Sequence, residues 1–138
     1  MAKDCAGSVS VPVTDKFRKT LDSLDKHRHH IEAALTHADW THTFDDVVMM
    51  VLRGEADLWD LGDSILITEL VDFPQQRHYS VFLGGGSLDT ILAAHPMIEA
   101  AARSAGCSKL SVTGRLGWIK ALSKHGWELK HATCTKEL

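Results

Sequence analysis

Residues 79–83 read Tyr-Ser-Val-Phe-Leu, and three consecutive glycines, Gly84, Gly85 and Gly86, follow directly. An apolar run ending in glycines predicts a strand exit. Ser87 then stands where a helix N-cap belongs, ahead of a helical region that closes at Gly106. A short strand at 108–112 and a helix at 115–125 complete the stretch, with Gly126-Trp127 at its end. Strand, glycine turn, helix, strand, helix is the grammar of a unit whose strand ends face a ligand. Glycines let backbone N–H groups approach a phosphate, and a helix start adds partial positive charge. The same glycines equally suit a strand exit that needs positive φ or close packing.

The chain upstream supplies the partners such a unit needs. Phe17, Leu21, Leu24, Ile31 and Leu35 recur at helical spacing, with Arg28 in the one gap, and predict a helix over 15–36 capped by Thr14. Residues 37–42 form a connector with Trp40 as apolar anchor. Thr43 caps a second helix that buries Phe44, Val47, Val48, Val51 and Leu52 and stops at Gly54. The period then changes. Residues 56–61 and 64–73 flank Gly62-Asp63, a two-residue hairpin signal, and a turn at 74–76 leads to a third strand at 77–83. Three strands on short turns make an antiparallel meander, and the helical crossover after them implies one parallel pairing. Pro96 predicts a division of the next helix into 88–95 and a second piece packing Met97, Ile98, Ala101 and Ala102. A last strand is expected at 129–135. The expected fold is α/β of the α+β kind: a mixed, mostly antiparallel sheet with N-terminal helices and two later helices packed on it.

The 138 residues fit a single domain with a frayed stretch at 1–13, and an apolar fraction of 44% supports a packed core. A formal charge of −3 without a long basic run argues against nucleic acid as a partner. Cys5, Cys107 and Cys134 are odd in number and far apart, so they read as reduced thiols. No signal-peptide core stands at the start, and no apolar run approaches the roughly 18 residues of a membrane span. A cytoplasmic or virion location fits this composition. Five histidines lie between His27 and His42, but no carboxylate or cysteine stands at matching spacing, so no metal is expected.

The order helix, helix, three-strand meander, helix, strand, helix, strand resembles the GNAT N-acetyltransferase superfamily from about residue 15 to 135. Gly126-Trp127 matches the glycine–aromatic pair that ends that family's late helix. Gly-Arg-Leu-Gly-Trp at 114–118 is similar to small GNAT-like proteins of phages and prophages. The resemblance implies an acyl-coenzyme-A ligand, acetyl-coenzyme A first. Its pantetheine arm would lie between the strands at 79–83 and 108–112, against backbone groups of Val81, Phe82 and Leu83. Its pyrophosphate would meet amides of Gly84, Gly85, Gly86 and Ser87. The co-substrate implied is a small-molecule or peptide amine. The family's acid tyrosine would fall on Leu122, which donates no proton, and its helix-start asparagine on Arg115.

Among side chains that carry chemistry, Glu69 in the second strand reads as a general base if its face lines a cleft, or as a solvated carboxylate. Tyr79, the sole tyrosine, reads as a proton donor or as a buried ring with its hydroxyl at the surface. Arg115 suits a phosphate or a structural ion pair. The expected function is acyl-coenzyme-A-dependent N-acyl transfer with Glu69 as base. The alternative is a non-catalytic protein of the same fold, a binding or phage structural component. Its partners would be a second copy of the chain or other virion proteins.

Overall fold

A computed structural model describes residues 15–138. The expectations for 1–13, Thr14 and Cys5 lie outside these residues. Three helices come first: α1 (Asp15–Lys26), α2 (Arg28–His37) and α3 (Phe44–Leu52). The meander follows as β1 (Asp57–Asp60), β2 (Ile65–Asp72) and β3 (Arg77–Gly85). Then come α4 (Leu88–Ser104), β4 (Lys109–Val112), α5 (Leu116–Leu122) and a 3₁₀ turn at Ser123–His125. The sheet order is β1-β2-β3-β4, antiparallel except for the parallel β3–β4 pair. The fold is mixed α+β with a mostly antiparallel sheet.

Helices cover both faces of the sheet. On one face Leu24, Ile31 and Leu35 of the first two helices and Val47 of α3 bury against Ile65, Ile67 and Leu83. On the other, Ile91, Ala94, Ile98 and Ala102 of α4 bury against Leu66 and Tyr79. Those four positions recur every three or four residues, so α4 lays one narrow stripe on the sheet. The alternation of Ile65, Leu66 and Ile67 between the two cores is the two-residue period of a central strand.

Local chemistry sets the element ends. Thr43 and Asp46 form a reciprocal capping box at α3: Thr43 N–H donates to Asp46 Oδ2 at 2.8 Å, and Asp46 N–H to Thr43 Oγ1 at 3.2 Å. The hairpin at Gly62-Asp63 closes through Leu61 N–H on Ser64 O at 2.9 Å. Arg28, the polar gap in the first apolar stripe, places its guanidinium 4.4 Å from the centroid of the Phe44 ring.

Five expectations are corrected. The helix expected over 15–36 bends at His27, which leaves helical geometry (φ −99°, ψ 13°) as its side chain bonds to Asp60. Trp40 anchors nothing: it is 53% exposed. Pro96 does not divide α4. It lies exposed inside one continuous helix, where its missing N–H costs one bond while the buried stripe holds both halves to the sheet. Met97 accordingly points outward, 57% exposed. The strand expected at 129–135 does not form; those residues are exposed, without regular structure, and pair with neither outer edge of the sheet.

Candidate functional site

The pairing of β3 with β4 runs from His78↔Lys109 to Val81↔Val112 and stops. Beyond it β3 continues to Gly85, still paired to β2 through Ile65↔Gly85, while the chain after Val112 turns away toward α5. A register shift lies at the same point. Ile67 pairs with Leu83 and Thr68 with Val81, so Phe82 is an extra residue in β3. Phe82 and Leu83 consequently both pack on the α1–α3 side. The seam between β3 and β4 opens where the bulge bends β3.

A cavity of about 410 Å³ occupies this opening, within the range of small-molecule sites. Its strand wall is Val81 to Gly86 on β3 and its continuation, with Leu110, Val112, Thr113 and Arg115 opposite. Residues from both helical layers close it: His30 and His37 from α2, and His95, Ile98 and Trp118 from α4 and α5. Among the described residues no Asp or Glu lines it. Burial and the neighbouring His29 lower the pKa of His30, which disfavours its charged form. Arg115, exposed at the N-cap of α5, is the fixed positive charge of the wall, and no salt bridge holds it among the described residues.

The glycines have packing reasons of their own. A Cβ at Gly85 would stand 2.9 Å from His30 Cβ, so α2 crosses β3 at backbone distance. Gly86 has φ +111°, and a Cβ there would collide with Ser64 Oγ. Glycine is required at both positions whatever the cavity binds.

Ser87 serves α4 rather than the cavity wall. Its hydroxyl accepts from Thr90 N–H at 3.4 Å, and its own N–H donates to Ser64 Oγ at 2.8 Å. Ser64 in turn donates to Asp63 Oδ1 at 2.8 Å, and Thr90 Oγ1 donates to Asp63 Oδ2 at 3.3 Å. These hydroxyls hold the Asp63 carboxyl below its usual range. The helix start thus already has an anion beside it, from the protein itself.

Of the residues singled out in the sequence, Val81, Phe82, Leu83, Gly84, Gly85, Gly86 and Arg115 come together around the cavity, and Ser87 stands just outside. Glu69 and Tyr79 do not line it. Glu69 pairs with Ser80, toward the other end of β3, and is half-buried. Tyr79 is 2% exposed in the α4-side core, and its hydroxyl donates to Asp57 Oδ2 at 2.8 Å. Burial first, and Asp57 next to it, raise its pKa. From the sequence, His30 and His37 read only as members of a histidine group for which no metal is expected, and His95 is not singled out. His30 and His37 stand seven residues apart, which puts them on one helix face, and His95 stands three before the buried Ile98.

Neither a family model, nor a curated protein, nor a solved structure matches this chain. No helix among the described residues is long and apolar enough to cross a membrane. Among them, too, no group of three or more His, Cys, Asp or Glu is placed to hold a metal.

Proposed function

We propose that the protein is an acyl-coenzyme-A-dependent N-acyltransferase of the GNAT kind, with acetyl-coenzyme A as the donor and an amine of a small molecule or peptide as the acceptor. The observation that carries this reading is the parting of β3 from β4 after Val81↔Val112, with a cavity of about 410 Å³ in the gap. A pantetheine arm is an extended chain with two amides. It fits beside a strand edge that has no neighbour, where Phe82 to Gly85 supply backbone donors and acceptors. The phosphates fall to Arg115 and the glycine amides, since Asp63 already stands by the start of α4. The wall's lack of carboxylates suits an anionic ligand.

In the reaction the amine nitrogen attacks the thioester carbonyl. A backbone N–H of the β3 edge polarises that carbonyl as charge builds on its oxygen. Glu69 and Tyr79 stand away from the cavity, so the proton is not routed through them.

A second reading rests on Leu122, which is 5% exposed and lines the cavity where the resemblance places an acid tyrosine. A protein that kept the cleft and lost the chemistry would bind without turning over. Titration calorimetry separates these cases. The expected result is acetyl-coenzyme A binding in the micromolar range or tighter, with release of free thiol when an amine panel is added. Absence of heat at millimolar ligand removes the coenzyme reading. Binding without thiol release selects the non-catalytic one.

A further inference from the structure

We propose that His95 is the proton acceptor of the cavity, taking the proton that the amine nitrogen sheds as it becomes an amide. The inference rests on the acyl-transfer reading above and gives that site its base. His95 lines the cavity from α4. Its Nδ1 lies 2.9 Å from the backbone oxygen of Ile91. A carbonyl oxygen only accepts, so Nδ1 carries the hydrogen and the lone pair of the neutral ring is on Nε2. Nε2 is buried and has no hydrogen-bond partner among the described residues. Buried imidazole nitrogens ordinarily find one. The ring is held edge-on against Trp127, centroids 5.6 Å apart. Trp127 follows Gly126 on a segment without strand pairing and lines the same cavity as His95.

The remaining wall offers no equal candidate. No carboxylate lines it among the described residues. His37 is exposed at the end of α2. His30 has its ring centroid 4.0 Å from that of His29, and it leaves no nitrogen buried without a partner. The step balances without a further reagent. The amine lone pair forms the C–N bond, the C–S bond breaks, and sulfur leaves with the electron pair as thiolate. The nitrogen's proton passes to Nε2, and from the imidazolium to the thiolate, which leaves as free thiol.

The test pairs binding with turnover in H95Q and H95N. Either amide can still donate to Ile91 O, so the second variant serves if the first does not fold. H95Q is expected to bind acetyl-coenzyme A within about threefold of wild type while kcat/KM for thiol release falls about 100-fold or more. Unchanged turnover in H95Q, with binding intact, overturns the proposal. So does a loss of turnover in H30Q that H95Q does not share, because the acceptor would then be on α2. Absence of acetyl-coenzyme A binding by the wild-type protein is a separate outcome: it removes the acyl-transfer reading itself, and this base with it.

Discussion

Tyr79 shows what a single residue's position decides. Its place in an apolar strand predicts either a proton donor or a packed ring, and the hydrogen bond to Asp57 selects the second. Y79F removes that donor while keeping the ring in the α4-side core. The variant is expected to lose about 0.5–1.5 kcal/mol in urea denaturation, the usual net worth of one intramolecular hydrogen bond. The heat of acetyl-coenzyme A binding should stay as in wild type, because Tyr79 does not line the cavity. Strand periodicity assigned Glu69 and Tyr79 to faces, but it carries no information on where along β3 the seam opens. That depends on the extra residue Phe82, and nothing in Val-Phe-Leu marks a bulge. His95 was hidden for a different reason. A histidine beside a proline in a helix looks like a surface position until the depth of the stripe Ile91, Ala94, Ile98 is known.

At the scale of elements, most of the order was legible. The caps at Thr43 and Ser87, the Gly62-Asp63 hairpin and the change of period after Gly54 each act over a few residues, and these appear where the sequence places them. What was misread depended on distant partners. The segment expected as a strand at 129–135 pairs with neither outer edge of the sheet, and the helix expected to end before Pro96 runs on through it with its buried stripe on the sheet. The second point is testable. Proline inside a helix is less favourable than alanine by about 3 kcal/mol, through the lost N–H and a clash with the preceding turn. Since Pro96 is exposed, P96A should raise the thermal unfolding midpoint, with about 3 kcal/mol as the ceiling. A midpoint that falls would mean that the proline sets a bend that α4 needs in order to pack.

For the molecule as a whole, Asp60 ties the first helical layer to the sheet. It accepts from His27 Nε2 at 2.9 Å and from the Gly62 N–H at 3.0 Å, and pairs with Lys26 Nζ at 3.0 Å. Burial works to raise its pKa, but these hydrogen bonds outweigh burial and hold it well below the usual carboxylate range. A carboxyl more acidic when folded than unfolded contributes stability above its unfolded value of about 3.9, and that contribution is lost as pH falls toward the folded value. D60N should therefore be less stable than wild type at pH 7, with the gap narrowing below about pH 4. Urea midpoints for both proteins at several pH values check this; a gap that persists unchanged in acid would assign the cost to packing instead.

The lengths of the four strands have a bearing on how the protein survives in a crowded cell. The two inner strands have eight and nine residues, and the two outer ones have four each. Asp57 and Asp60 bound one outer strand, and Lys109 begins the other. Short, charged borders are poor templates for another chain to zip onto. The sheet can thus keep an internal seam parted for a ligand without offering a rim from which a filament could grow.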